Sequence, residues 1–444
     1  MIKPANVMRL VKLKGAGYLF AVLMIIVSSF ASAQNQQLHF TRLGTTHGLS
    51  ELNPNCILQD SRGFIWIGTG DGLNRYDGYR FRIFRNVIKD SASISNNYVQ
   101  DIAEDKDGNI WVATVGGGLN KYDRKTNSFH RYLHDEKNPN SISSDFVSKI
   151  VIDDYGKVWA GTQHNGISVF DPKRGIFLHY LNDKNNPESL SSNEIMTILK
   201  DSHNNIWAGT VNDGLSVYDR KKAGFTSFKH SDADKGSLSG NKVTALFEAS
   251  DGHMWVGTQG AGLNLYDSKT GTFRHFLHDP KNSNSLIHNS IQCIAEDDDR
   301  NLWIGTENGG LSIYTYAWDQ FFSYSHDDVD NTSLTGNSVD HILKDRYGNM
   351  WLGVYGGGIN LYKKNTSNFV HYTHNSSAAS LSNDFVLGLF EDNDYNIWIG
   401  TDGGGLNLFN LKKGTFTSFR HQESNKSSIS GDNILTIKPD DQKN

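Results

Sequence analysis

Only two of the 444 residues are cysteine, Cys56 and Cys293, so no disulfide framework stands in for a core. Cations are also short: 43 Lys and Arg against 48 Asp and Glu leave a formal charge of −5. That balance lacks the basic stripe a nucleic-acid partner needs. No long apolar run is present either. YLFAVLMIIV (18–27) has ten residues, well short of the ~18 of a confident membrane span. No later stretch sustains a 3.6-residue apolar period, which argues against a helical protein. Cys/His metal spacing, a convergent catalytic constellation and a phosphate-cradling loop followed by a helix are all missing. No cofactor and no metal are therefore expected.

What is present begins with a leader. Lys3, Arg9, Lys12 and Lys14 precede the apolar run, and Ala31-Ser32-Ala33 follows it. This is the layout of an export signal (1–33), cleaved after Ala33. Its removal takes the formal charge from −5 to −9 and leaves 411 residues, ample for a large core.

Eight tryptophans mark a period: Trp66, Trp111, Trp159, Trp207, Trp255, Trp303, Trp351 and Trp398, spaced by 45, 48, 48, 48, 48, 48 and 47. Each unit contains four short strand-like pieces, such as YVQDIAED (98–105), NIWVAT (109–114), GLNKYD (118–123) and SFHRYL (128–133). They are rich in Val, Ile, Tyr, Phe and Trp and bounded by Gly, Asp and Asn. Four antiparallel strands in each ~45–50-residue unit predict an all-β fold, a β-propeller of seven or eight blades over 34–426. A Gly recurs before Leu or Ile in the second turn of every copy, from Gly72 to Gly405, which predicts positive φ or a crowded backbone. Cys56 and Cys293 both fall ten residues before their Trp, in non-adjacent units. Such positions lie beyond the ~7 Å Cα separation a disulfide spans, so two buried free thiols are expected.

The run D-x-x-G-x-I-W-x-G-T-x-x-G-G-L-x-x-Y-D, followed by S-L-S-x-N-x-V-x-x-I, resembles the two-component regulator propeller repeat. The resemblance extends from about residue 38 to 440. Departures are local: Ala249 for the turn Asp, Val354 for the Thr, and Asn204, Arg300 and Tyr395 for the turn Gly. It implies a periplasmic sensor region of a hybrid sensor histidine kinase or a diguanylate cyclase. Neither GGDEF-like nor histidine-kinase boxes occur in these 444 residues, so no enzymatic activity is expected of them. Any membrane attachment would come through a further C-terminal part, and a homodimer is compatible with the family. At the ends, LHFTRL (38–43) imitates a fourth strand, while 427–444 restart the repeat with a ninth Trp due at 446. The expectation is a fragment of a longer receptor. A stand-alone exported binding propeller and a polysaccharide lyase or hydrolase remain the alternatives, since propellers host all three.

Residues written in every blade serve the scaffold. His134, His230, His278, His326, His374 and His421 each lie 23 residues after their Trp and are expected to cap the outer strand. The D-x-x-G-x-x-W turn is similar to the sialidase Asp-box, a folding turn on the periphery. Trp318, off the grid, is expected to be buried in its turn, a partner contact being the other reading. Ligand contacts are expected where copies differ, on the face shared by the strand-four-to-one connection and the second turn. The candidates are Tyr98, Phe146, Gln163, His164, Asp213, Gln259, Glu307, Tyr355, Phe385 and Asp402. Aromatic faces among carboxylates and amides suit a neutral or basic polyhydroxylated small molecule or oligosaccharide.

Overall fold

The computed structural model describes residues 38–364, 372–377, 380–411 and 413–439; the leader read at 1–33 lies outside them. Among the described residues no helix is long and apolar enough to cross a membrane. Among the described residues eight four-stranded antiparallel sheets follow one another along the chain, one for each tryptophan of the repeat.

All blades but one are set up locally by one carboxylate. In the turn after the first strand, Asp105 Oδ1 accepts the backbone N–H groups of Asp107 and Asn109 at 3.0 and 2.9 Å. Its Oδ2 accepts the indole N–H of Trp111 at 2.9 Å. The Asp thus shapes the turn and satisfies the one polar atom of a large buried ring. Seven of the eight tryptophans are held this way.

The exception explains itself across a blade boundary. Ala249 cannot take the proton of Trp255, which goes instead to the hydroxyl of Tyr316 in the next blade at 3.1 Å. At the equivalent position, 13 residues past the Trp, Arg124 and Arg220 reach back to Asp60 and Asp153 of the preceding blade at 2.9 and 2.7 Å. Loss of the carboxylate is accompanied by loss of its cation, and the Tyr replaces both. Trp318, two residues on, is 55% exposed and meets Phe322 edge-on; the expected burial in its turn is not what the structure has.

The apolar clusters belong to pairs of blades. Trp66 stacks on Phe84 of its own blade at 5.7 Å and meets Tyr122 of the next at 5.6 Å. Val99, Ile102 and Ile110 complete that cluster from the second blade. The recurring second-turn glycine ties neighbours through the backbone. Gly118 has φ +63, a Cβ there would collide with the Tyr132 carbonyl oxygen, and its N–H donates to the Asp145 carbonyl at 2.9 Å. Both sequence expectations, positive φ and crowding, hold at this position.

Seven blades close the ring. Phe40–Leu43 supplies the outer strand of the sheet made by Val339–Lys344, Met350–Val354 and Gly358–Tyr362. Gly358 N–H then donates to the Leu52 carbonyl at 3.0 Å, the same bond that joins every other pair. The span 34–426, read as one propeller, falls into two units: the ring to Tyr362, and a second unit of Asp327–Asn331 with Lys363–Asn444. The second unit carries the sheet Val386–Glu391, Ile397–Thr401, Leu406–Asn410 and Thr415–Phe419. The start of a ninth copy is docked on it, with Gly405 N–H to Asp432 O at 2.8 Å and Ile434 N–H to Thr401 O at 3.0 Å.

The histidines close the long loops rather than cap strands alone. His134 Nδ1 pairs with the Ile142 carbonyl at 2.8 Å, and its backbone N–H donates to Asp145 Oδ1 at 2.8 Å. Where the repeat has Asn182, its Nδ2 makes the equivalent bond to Leu190 O at 2.7 Å.

Two expectations test this scaffold. Tyr316→Phe strands a buried indole N–H and should lower stability by about 1–3 kcal/mol, read as a drop in thermal midpoint; Tyr347→Phe, at an exposed tyrosine, should not move it. Gly156→Ala, at φ +80 with no heavy atom within 4 Å, should cost about 1 kcal/mol of strain. Gly118→Ala adds a backbone collision, and its denaturant midpoint should fall well below that of Gly156→Ala.

Candidate functional site

The inner strands of the ring surround a channel, and a cavity of ≈ 780 Å³ opens within it. Strand geometry dictates what lines it. Positions 11 and 10 before each Trp sit on the first strand of every blade, and these strands run side by side around the axis. Several of these side chains bolt one blade to the next. Asn55 Nδ2 donates to the Val99 carbonyl at 2.8 Å, and Ser148 Oγ to the Ile195 carbonyl at 2.7 Å.

Charge enters the wall at the same two positions. Lys149 Nζ donates to Asp101 Oδ1 at 3.1 Å, while Asp101 Oδ2 accepts the Ile150 N–H at 2.9 Å. Burial opposes charge on Lys149, but the carboxylate of Asp101 outweighs it and holds the lysine above its ordinary range. His341 is pushed down to about 3 by burial and by Lys149; it is a neutral imidazole at pH 7. Asp340 is pushed up to about 6 by burial and then by the negative charge of Glu307. Cys56 and Cys293 are free and buried, as expected, and burial raises both thiols far above their usual range. They are packing groups and poor nucleophiles.

Of the variable positions chosen from sequence, Tyr98, Phe146, Gln163, His164, Gln259, Glu307 and Tyr355 lie at the end of the inner strands where the second turns are, and Gln163 and His164 reach the cavity wall. From the second sheet to the eighth, the residue 13 before the Trp and the first residue of the second turn are joined by the backbone, as in Val115 N–H to Tyr98 O, Gln163 N–H to Phe146 O and Tyr355 N–H to Ser338 O, at 3.0, 3.0 and 2.9 Å. Gln163 and His164 are on the cavity wall with Glu194, whose Oε1 is 3.7 Å from His164 Nδ1. Gln259 Nε2 donates to Glu307 Oε2 at 3.2 Å across a blade boundary. Tyr98, Phe146 and Tyr355 stand outside the cavity wall with 45%, 46% and 64% of their surface exposed. Asp213 faces elsewhere, paired with Lys229 at 3.0 Å beside the Asn182–Asn193 loop. Phe385 and Asp402 belong to the second unit. Sequence reasoning missed Asp101, Lys149, Asp340 and His341. The available signal was charge at inner-strand positions where sister blades of the ring carry uncharged residues: Cys, Thr or Ala ten before the Trp, and Asn, Gln, Ser, Met or Thr eleven before it.

A family described as two component regulator propeller matches residues 48–71, 93–116, 189–212, 237–260, 285–308, 333–356 and 380–403. Each matched segment runs through the first strand of its sheet to the second turn; in the ring this is the part of a blade that forms the channel and its mouth, while 380–403 is the corresponding part of the second unit. Over 83 residues the chain is 37% identical to Histidine kinase P4 of Formosa agariphila, covering 19% of this chain and 6% of that protein. The extracellular domain of the putative hybrid two component system BT3049 from B. thetaiotaomicron has a similar structure, with TM-score 0.71 and 29% identity. That match covers 92% of this chain and 51% of the other, so the chain spans about half the length of that domain. Virginiamycin B lyase from Staphylococcus aureus, at 16% identity and TM-score 0.54 over 73% of this chain and 98% of its own, shares the fold alone.

The raised Asp340 has a measurable consequence. Unfolded, this carboxyl ionises near the ordinary aspartate value of 3.8, and folded near 6. A penalty therefore accumulates between pH 4 and 6 and is complete above 6. Asp340→Asn should stabilise the ligand-free protein at pH 7 by about 1–2 kcal/mol, discounted for partial solvation, and confer nothing below pH 4. Chemical denaturation at pH 4 and 7 reads the difference.

Proposed function

Because this chain is an array of two-component regulator propeller repeats, we propose that it is the ligand-reading, extracytoplasmic part of a signalling receptor. The observation that carries the reading is 29% identity over 92% of the chain to an extracellular domain of a putative hybrid two component system. The leader at residues 1–33 supports export, with a periplasmic location for the repeats. Kinase or cyclase output belongs to a longer parent protein.

The ligand binds over the channel mouth. Tyr98, Phe146 and Tyr355 offer exposed aromatic faces, and Gln163, His164, Gln259 and Glu307 offer planar polar groups beside them. Rings that stack on aromatics while their hydroxyls bond to amides and carboxylates are a general saccharide solution, so a neutral or basic polyhydroxylated ligand fits best. The remaining surface of a seven-bladed ring is repetitive, and repetition gives no single place for one small ligand.

A glycan array probed with the chain identifies a ligand class. The triple variant Tyr98→Ala/Phe146→Ala/Tyr355→Ala should then lose that binding at least tenfold by calorimetry while keeping its thermal midpoint. These side chains are exposed, so their loss leaves the blade core intact. Undiminished affinity in the folded variant would remove the mouth from consideration.

A further inference from the structure

Away from the channel, the repetition of the outer rim is broken at the gap between the fourth and fifth blades. At each of the first three tryptophans the turn carboxylate has a cation against it. Arg124, from the second blade, bridges Asp60 Oδ2 and Glu104 Oε1 at 2.9 Å each. Lys121 Nζ lies 3.8 Å from Asp105 Oδ2 and 5.4 Å from the ring of Trp111. Arg220, from the fourth blade, donates to Asp153 Oδ2 at 2.7 Å. Its guanidinium stands 5.5 Å from the ring of Trp159 and 5.2 Å from that of Tyr155. These cations come from two positions, 10 residues past a blade's own tryptophan or 13 past that of the next blade.

At Trp207 the two positions hold Val217 and Ser268. The acceptors are nevertheless still built. Asp201 Oδ2 takes the Trp207 indole N–H at 2.9 Å. Glu248 takes the backbone N–H and hydroxyl of Ser202 at 2.6 Å each, as Glu104 takes those of Ser61 at 2.7 Å each while also holding Arg124. Among the described residues neither Asp201 nor Glu248 pairs with a cation. Trp207 and Asp201 keep 6% and 5% of their surface exposed, against 2% and 1% for Trp159 and Asp153 under Arg220. A cavity of ≈ 670 Å³ opens there. Its wall includes Trp207, Val217, Tyr266 of the fifth blade and His203, which occupies in its turn the place Tyr155 has beside Arg220.

We propose that this gap binds a guanidinium group supplied from outside the chain, held over Trp207 and His203 with Asp201 and Glu248 as its acceptors. The planar fork of a guanidinium bonds two carboxylates at once and stacks on aromatic faces, as Arg124 and Arg220 do in the sister sites. There the carboxylate is reached by a group lying on the tryptophan ring, and the ring of Trp207 is on the cavity wall. Cations already nearby do not fill the place. Arg220 is committed to Asp153, while Lys221 and Lys222 are exposed on the cavity wall and form no ion pair among the described residues. They disfavour a ligand with further positive charge. The site is independent of the channel mouth.

Titration calorimetry of the purified chain at pH 8 with Nα-acetylarginine methylamide and with its citrulline counterpart tests this, because a neutral urea then replaces the guanidinium at nearly the same shape. The arginine derivative is expected to bind at least about tenfold tighter, the effect of charge-assisted hydrogen bonds. Ser268→Arg gives the fifth blade the Y-D-R-K of the second and fourth. It should supply the group from within and abolish the binding, at a thermal midpoint no lower than parental. Glu248→Gln should weaken the binding and leave the Trp207 turn intact. No binding of the arginine derivative, equal binding of the citrulline one, unchanged binding in either variant, or a lowered midpoint in Ser268→Arg each overturns the proposal. Methylguanidine separates the possible sources: binding as tight as the arginine derivative marks a small guanidino compound, and weaker binding marks an arginine of a polypeptide partner.

Discussion

A blade of this protein has no core of its own, and everything else depends on that constraint. Trp66 is enclosed only because Tyr122 and Ile102 arrive from the next sheet. The same shared cluster recurs between successive blades, as in Trp111 with Phe170 and Trp159 with Tyr218. Large apolar surface must therefore be passed from sheet to sheet until the last sheet meets the first. Phe40–Leu43 solves the problem at the seam by entering the last sheet as its outer strand.

That closure also creates the site. Seven inner strands brought around one axis place Asp101, Lys149, Asp340 and His341 on a common wall, although 239 residues separate Asp101 from Asp340. Only in that enclosure do their charges matter to one another. Burial and then Lys149 depress His341, Asp101 secures Lys149, and Asp340, raised by burial and then by the charge of Glu307, stays unpaired. The scaffold tolerates such a carboxylate because its stability resides in the Trp clusters and the inter-blade backbone bonds.

The outer periphery shows how a repeat absorbs change. With Ala249 in place of the turn Asp, Trp255 would hold an unsatisfied indole N–H, and Tyr316 from the adjoining blade removes the defect. Asn182 and Asn86 do the work of histidine in closing their loops, since an amide nitrogen reaches the same carbonyl. The repeat is conserved as a set of satisfied polar atoms, and side-chain identity follows from that.

Local chemistry was legible from the sequence because each blade writes it in a few neighbouring residues. The four strands, the Asp-to-Trp turn, the glycine at positive φ and the two free buried thiols all depend on contacts within one repeat or between adjacent ones. The positions where copies differ were legible too, but not where each would face: Asp213 points away from the cavity, and Phe385 and Asp402 belong to the second unit. Whether seven or eight blades close was not, because it depends on Phe40–Leu43 pairing with Gly358–Tyr362 some 320 residues away. The charged channel wall was equally hidden: within its own repeat each residue is an ordinary strand residue. Sequence by itself determined the blade and the positions free to vary. The tertiary structure decided the number of blades in the ring and which of those positions share a cavity, because both follow from ring closure, a distance relation that no single repeat contains.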